Sequence, residues 1–169
     1  MQFAKDSFYM TLRARLASRN PLRTVVVSGV TRPAIVVVEN ELPGSGERLA
    51  NTFYIEWGES VAVLDPQVQR VRGMMCRIGY FTCGSAESGV DRGRMVGEMD
   101  SELLAICNPA HTGKQDYTQS PSVNLGTGMF WTYPKLGAVN AGEKRDGAAQ
   151  GRMERVAEMA MYFYPEVAA

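Results

Sequence analysis

The sequence has few of the residues from which metal sites and disulfide networks are built. Of its 169 residues, one is histidine and three are cysteine. The single histidine, His111, excludes a metal site with several histidine ligands. An odd number of cysteines with no CxxC motif provides no disulfide framework, so a reducing compartment is the expected environment.

Net charge, long apolar runs and a leader pattern are also lacking. The 18 basic and 18 acidic residues give a formal net charge of +0, whereas a dedicated nucleic-acid-binding protein normally has a basic excess. The longest apolar run, Met159–Tyr164, is far shorter than the roughly 20 residues that span a bilayer. Residues 1–20 alternate apolar and charged side chains, unlike a signal peptide. Neither sequence-specific nucleic-acid binding nor membrane contact is expected.

What is present is enough for one folded domain. The chain is 45% hydrophobic, and a chain of this length buries about 70% of its unfolded surface. Two segments have the apolar spacing of amphipathic helices, and each ends at an Asn-Pro pair because the residue before proline is driven out of helical conformation. Their apolar stripes are Ala4, Phe8, Leu12 and Leu16 in the first, and Met95, Met99, Leu103 and Ile106 in the second.

Short β-branched or alternating runs predict strands between and after these helices. Because most connections are too short to contain a helix, the order favours an antiparallel or mixed sheet with two main helices packed on it. We therefore expect a single α+β domain over residues 1–169. The predicted strands are Thr24–Val27, Ala34–Val38, Phe53–Trp57, Val61–Leu64, Val71–Thr82, Met129–Tyr133 and Val156–Tyr164.

Two segments of about 20 residues have no periodicity and are predicted to be long assembly loops. They cover residues 108–128 and 134–153 and are rich in glycine and polar residues. Each also carries apolar side chains suited to a partner: Tyr117 and Leu125 in the first, and Leu136 in the second. We expect both loops to be mobile in an isolated subunit and ordered in an assembly.

Charge is segregated along the chain despite the neutral total. Residues 1–33 hold six basic residues and one acidic residue, a net charge of +5, and residues 34–103 hold six basic and eleven acidic, a net charge of −5. This pattern predicts complementary surfaces within one subunit or between copies, with ordinary solvated faces as the alternative. The candidate contact residues are Arg13, Arg15 and Arg19 on the first helix, and Glu98 and Glu102 on the second.

A row of small residues runs along the second helix at four-residue spacing. Its members are Gly89, Gly93, Gly97, Ser101 and Ala105. Each interior glycine costs a helix about 1 kcal/mol relative to alanine, so a compensating close approach by another backbone is expected. The sheet of the same subunit is the favoured partner, and a neighbouring subunit is the alternative, which adds Gly93 and Gly97 to the candidate interface.

No pattern points to catalysis, a metal or a cofactor. Cys76 and Cys83 lie on opposite faces of one predicted strand, and Pro109 interrupts the spacing that would join Cys107 to His111. The Gly-Lys pair at Lys114 lacks the upstream glycine of a phosphate loop. The acidic residues Asp91, Glu98 and Glu102 share one helix face, which is interpreted as a solvated face. We expect neither catalytic, metal-binding nor cofactor-binding residues.

The order of elements resembles that of a known family. An amphipathic first helix leads to Pro33–Glu39, followed by the strand Val71–Thr82, the helix Asp91–Cys107, the segment Phe130–Pro134 and the strand Val156–Tyr164. In order and size, this pattern resembles the tail terminator proteins of long-tailed bacteriophages, and more loosely the other small neck proteins of such virions.

The resemblance implies a structural virion protein without enzymatic activity. Members of this family form a ring, usually a hexamer, at the head-proximal end of the tail tube, where they end tube polymerisation and join the tail to the head. The implied partners are other copies of the chain, the tail tube protein and a head-completion or connector protein, with DNA only passing through. The implied location is the virion neck, and the host cytoplasm during assembly.

Other functions stay open at this level. The chain could be another phage neck, head-completion or tail-tube protein. Alternatives of a different class are a small cytoplasmic enzyme, which would need a pocket with perturbed titrating groups, and a bacterial adaptor, which would be a monomer or dimer rather than a ring.

Overall fold

A computed structural model describes residues 1–41, 48–61, 71–84, 91–142 and 151–165. The chain begins with helix α1, Gln2–Arg19, whose apolar stripe is buried as its four-residue spacing predicts. The helix ends where the backbone of Asn20 leaves helical conformation, and the Asn20 N–H still donates to the Leu16 carbonyl at 2.8 Å. Its buried residues are Ala4, Ser7, Phe8, Leu12 and Leu16.

A β-hairpin follows α1 and forms a two-stranded sheet of its own. Strand β1, Thr24–Val27, pairs antiparallel with β2, Val30–Pro33. The turn residues Ser28 and Gly29 both have positive φ, 51° and 79°, which is the backbone of a two-residue type I′ turn. The chain then enters the main sheet at β3, Ile35–Val37, and makes one helical turn, α2, Val38–Glu41.

The remaining strands complete an eight-stranded mixed sheet in the order β3-β4-β5-β10-β7-β6, with β8 and β9 also paired with β10. Among the described pairs, β3 and β4 are parallel and the others are antiparallel. The long pair β5–β10 forms the centre. The elements are β4 Phe53–Val61, β5 Arg72–Thr82, α3 Asp91–Ile106, β6 His111–Asp116, β7 Val123–Trp131, β8 Lys135–Leu136, β9 Asn140–Gly142 and β10 Arg152–Phe163.

Helices α1 and α3 cover one face of this sheet and bury the main core between them. The Phe8 ring lies edge-on to Trp57 and Trp131, with ring centroids 5.7 and 5.1 Å away. Met99 and Leu103 of α3 are fully buried in the same cluster. The expected α+β domain with a mixed sheet and two main helices is confirmed.

The expectation of aperiodic loops is wrong for much of both segments. Residues 108–128 contain β6 and the first part of β7, which pair as a hairpin, and residues 134–153 contain β8, β9 and the start of β10. The pattern was missed because β6 turns polar side chains inward: Lys114 and Asp116 are its buried residues. Residues 143–150 of the second segment lie outside the described ranges, as do residues 62–64 of the predicted strand Val61–Leu64.

Candidate functional site

The β1–β2 hairpin and the residues just before it carry three largely exposed apolar side chains. Leu22 is 90% exposed, Val26 58% and Val30 60%. These three residues, here called the hairpin patch, lie on one short hairpin and the two residues before it. Single exposed apolar residues are ordinary, but a group on one projecting element is typical of a protein–protein contact surface.

By the strand register, Val25, Val27 and Val30 face one side of the hairpin and Val26 faces the other. The hairpin packs onto the sheet through Val25, which fixes its position. Val25 is buried with Ala34, Val36 and Tyr54 in a small second core. The Ala34 N–H donates to the Arg23 carbonyl at 2.9 Å, which joins the ends of the hairpin. The hairpin therefore covers the β3–β4 end of the sheet face opposite α1 and α3.

A cavity of about 710 Å³ lies between the hairpin, the end of the sheet and α1. This hairpin cavity has the size of a small-molecule site and, like such sites, has apolar walls with a few polar groups among them. Its described lining residues are Arg13, Val25, Val26, Val27, Ser28, Val30, Arg32, Val36, Asn40, Glu41, Leu49 and Tyr54.

Glu41 is the shared acceptor of several donors beside the cavity. One of its carboxylate oxygens lies 2.6 Å from Arg32 Nη1 and accepts a hydrogen bond from the Tyr9 hydroxyl at 3.1 Å. Its other oxygen accepts the Val37 N–H at 2.8 Å. Burial, and next the negative charge of Glu41, raise the pKa of Tyr9. The carboxylate is thereby fixed in one orientation.

The guanidinium groups in the cavity lining, Arg13 and Arg32, have more N–H donors than the described residues have acceptors for them. Arg32 Nε and Nη2 are buried and have no hydrogen-bond partner in the structure as described. For Arg13, likewise, the described residues provide no hydrogen bond or ion pair. Sequence reasoning missed Arg32 and Glu41 because each looks like an ordinary solvated charge beside a strand, and only the hairpin brings them together.

The face of the sheet opposite the helices is open beyond the hairpin. This open sheet face carries the exposed pair Arg77–Glu158, 2.9 Å apart, and the stacked rings of Phe130 and Tyr162, with centroids 5.2 Å apart. Gly73 lies beneath Tyr162, where an added Cβ would come within 3.0 Å of the ring. The glycine lets the ring lie flat against the sheet and keeps this face shallow.

Two of the proposed interface residues make contacts inside the subunit instead. Arg15 donates to the carbonyls of Ile106 and Asn108 at 2.7 and 2.8 Å and lies over the Trp131 ring. Glu102 is buried and paired with Arg23, and it accepts the Asn20 side-chain N–H at 2.6 Å. The interpretation of Glu102 as part of a solvated face is wrong, because the chain between α1 and the hairpin covers it. Arg19 and Glu98 are exposed.

The small-residue row of α3 does not face the sheet. Gly93, Gly97, Ser101 and Ala105 are all exposed, and nothing lies within 4 Å of a Cβ added at either glycine. The favoured expectation of close packing within the subunit is therefore wrong for these residues. Gly89 lies outside the described ranges. Contact with a neighbouring subunit stays a prediction.

The apolar residues of the two expected loops have different surroundings. Tyr117 is exposed at the turn between β6 and β7, and Leu125 is half-buried on β7. Leu136 packs against the main core and pairs with Ala157 across β8 and β10. Of the three, Tyr117 is the one available to a partner.

The thiols and the histidine do not form a reactive group. Cys76 and Cys107 are buried, and burial raises the pKa of both thiols. His111 is exposed, and its ring lies over Gly128 on the next strand. Lys114, from the Gly-Lys pair, is buried in β6, where its ammonium group donates to the Tyr164 carbonyl.

Within the described ranges, no three histidine, cysteine, aspartate or glutamate side chains lie together as metal ligands would. No helix in the described part of the chain has the length and hydropathy needed to cross a membrane. Comparison with known proteins gives no matching family model and no curated protein of significant sequence similarity.

Proposed function

We propose that the protein is a structural virion component that forms a ring at the head-proximal end of a phage tail tube. There it ends tube polymerisation and joins the tail to the head, with no catalytic step. The observation that carries this proposal is the hairpin patch. Leu22, Val26 and Val30 are exposed apolar side chains on and beside one hairpin, and covering them with another protein would stabilise the assembly.

A second, different surface makes a ring a better fit than a two-fold dimer. The open sheet face combines the flat pair Phe130–Tyr162 with exposed charges, and the hairpin patch is apolar and projects. Contact between two unlike surfaces is heterologous, and repeated heterologous contacts close into rings when the rotation between subunits allows it. The proposal therefore pairs the hairpin patch of one subunit with the open sheet face of the next.

The order of elements supports the choice of phage ring protein. The resemblance to tail terminators rests on the first helix, the segment Pro33–Glu39, the strands Val71–Thr82 and Val156–Tyr164, the helix Asp91–Cys107 and the segment Phe130–Pro134. The proposed partners are further copies of this chain, the tail tube protein and a head-completion or connector protein. DNA passes through the ring without sequence-specific contacts.

Analytical ultracentrifugation of the purified chain tests the proposal. We expect wild-type protein to form one closed oligomer, with a central opening in negative-stain images. Val26→Asp places a charge in the hairpin patch, so this variant is expected to stay monomeric. Ser60→Asp adds the same charge at an exposed position of β4 and is expected to assemble normally.

Thermal unfolding of both variants separates assembly from folding, since Val26 and Ser60 are exposed in the subunit and neither change removes a buried contact. A wild-type chain that is monomeric at every concentration would refute the ring. Normal assembly of Val26→Asp would show that the hairpin patch is not the contact surface. Addition of the ring to purified tail tubes then tests whether it stops their growth.

A further inference from the structure

The outer edge of strand β1 has free backbone hydrogen-bonding groups. Val27 pairs with Val30 across the two-residue turn, and the residues that flank such a turn form a hydrogen-bonded pair. Because hydrogen-bonded and non-hydrogen-bonded pairs alternate along an antiparallel ladder, the N–H and C=O groups of Thr24 and Val26 point away from β2. Both residues are exposed, and these four groups have no hydrogen-bond partner among the described residues. The edge can therefore accept a further strand.

Three other edge strands are partly blocked. On the outer side of β2, Pro33 has no N–H to donate. The end strands of the main sheet are β3 and β6. In β3, the Val37 N–H donates to the Glu41 carboxylate at 2.8 Å. In β6, the Gln115 N–H donates to the Ser7 hydroxyl at 2.9 Å. Proteins block strand edges to prevent unwanted pairing, and of these four edges that of β1 is the most open.

The hairpin cavity runs along β1. Its lining includes the consecutive residues 25–28, but only alternate residues of β2, Val30 and Arg32. Neighbouring residues of a strand face opposite sides, so a space that touches every residue from 25 to 27 reaches beyond one face to the backbone of the strand. A strand added to β1 therefore places alternate side chains in the cavity, where Leu49 and Tyr54 are further lining residues.

The charges of the lining favour an acidic side chain in that space. Among the described lining residues, the charged ones are Arg13, Arg32 and Glu41. Arg32 and Glu41 form an ion pair at 2.6 Å, whereas Arg13 has no ion pair or hydrogen bond to a described residue. Arg13 is half-buried and lines the cavity, so a side chain placed there can reach it. A guanidinium without a counter-charge binds a carboxylate with charge-assisted hydrogen bonds.

We propose that the outer edge of β1 binds an extended segment of another protein by strand addition, with an acidic residue on the cavity side. The segment pairs antiparallel, which is the more stable arrangement, and its backbone bonds to Thr24 and Val26. Its residues opposite Val25 and Val27 face the cavity, where the valines contact apolar side chains and Arg13 pairs with the carboxylate. This binding uses backbone groups of the hairpin and does not depend on the ring proposed above.

Ligand-observed NMR titrations of the 169-residue chain test the backbone pairing. The probe is acetyl-Val-Thr-Glu-Thr-Val-amide, whose valines and glutamate face the cavity and whose two threonines pair with Val26 and Thr24. N-methylation of both threonines removes the N–H groups that face β1 and is expected to weaken binding about tenfold or more. N-methylation of the glutamate and the last valine changes N–H groups that face away, so a smaller loss is expected. Equal losses, or no binding of the parent peptide, would overturn the proposal.

Two proline variants test the edge in the protein itself. Thr24→Pro removes an outward N–H of β1 and is expected to weaken peptide binding about fivefold, the loss of one hydrogen bond. Thr31→Pro removes the outward N–H of β2 and is expected to leave binding unchanged. Neither N–H takes part in the pairing of β1 with β2, and thermal unfolding checks that both variants fold. Equal binding by the two folded variants would contradict the assignment to β1.

The glutamine peptide acetyl-Val-Thr-Gln-Thr-Val-amide tests the charge requirement. We expect it to bind about fivefold more weakly than the glutamate peptide. Arg13→Met is expected to abolish that difference, while Arg19→Met, which changes an exposed arginine outside the described cavity lining, is expected to keep it. Equal binding of the two peptides by the wild-type chain would overturn the acidic partner. Sedimentation of the same samples records their oligomeric state, so a failure of peptide binding is distinguished from a failure of the ring.

Discussion

Replacing Glu102 by alanine removes the acceptor that links α1, the hairpin and α3. Glu102 accepts Arg23 Nε, Arg23 Nη2 at 3.2 Å and the Asn20 side-chain N–H at 2.6 Å. The Arg23 and Glu102 side chains are each 11% exposed. In the variant, the Arg23 guanidinium keeps only a long hydrogen bond to the Asn51 carbonyl, 3.3 Å, among the described residues.

The expected loss follows from leaving a mostly buried guanidinium without its counter-charge. Removing one partner of a buried ion pair costs about 3–5 kcal/mol, and the residual exposure places this pair at the lower end, about 3 kcal/mol. For a chain of this length, that loss lowers Tm by roughly 6–12 °C. Glu102→Gln keeps one acceptor oxygen for Asn20 and is expected to lose less.

Urea unfolding followed by tryptophan fluorescence measures the effect, with every variant held in the same oligomeric state. Glu158→Ala is the matched control, because Arg77 and Glu158 form an ion pair with side chains 59% and 46% exposed. Such a pair contributes about 0–1 kcal/mol and weakens in salt. A Glu102→Ala loss no larger than that of Glu158→Ala would refute the reasoning.

Two further predictions concern alkaline pH and backbone exchange. Burial, and next the hydrogen bond to Asp100, raise the pKa of Tyr80 above its ordinary value of 10.0. Above about pH 10 the unfolded chain therefore loses this proton while the folded protein keeps it. The contribution of Tyr80 to the free energy of unfolding is constant below that pH and falls above it. Tyr80→Phe should flatten that alkaline decline in pH-dependent urea unfolding, and an unchanged slope would contradict the assignment. In hydrogen exchange of the free subunit, the paired amides of β6 and β7 should be protected and those of residues 117–122 should exchange fast; uniformly fast exchange over 108–128 would instead support the mobile loop expected from the sequence.

The helices could be predicted because their spacing records which side faces the core. Phe8, Leu12 and Leu16 recur every four residues, and each is fully buried. Strand β6 could not be predicted in this way, because its inward residue Lys114 is a charge whose burial depends on the Tyr164 carbonyl, 50 residues away. The spacing of apolar residues gives no signal for a buried polar side chain whose hydrogen-bond partner is a backbone group far away in the sequence.

The candidate site was hidden for a related reason. Arg32 and Glu41 stand on either side of the apolar run that forms β3, where each is typical of a charge that flanks a strand. Their pairing depends on how the hairpin folds back onto the sheet, and the sequence carries no local signal of that. Arg15 is a case in which a local signal misleads. Its position on the polar side of α1 predicts an exposed contact residue, but it donates to backbone carbonyls at the end of α3.

The position of β10 at the centre of the sheet has a consequence for how the protein acquires its structure. β10 is the last strand of the described residues, yet it pairs with β5 across the 69 residues 83–151 and also with β7, β8 and β9. Pairing so distant in sequence slows folding, since the chain must close a long loop before the contacts between β5 and β10 form. During synthesis, the edge of β5 that pairs with β10 therefore stays unpaired until β10 leaves the ribosome. The main sheet is completed only after β10 has been synthesised, and the interval before then is when aggregation through the β5 edge is most favoured.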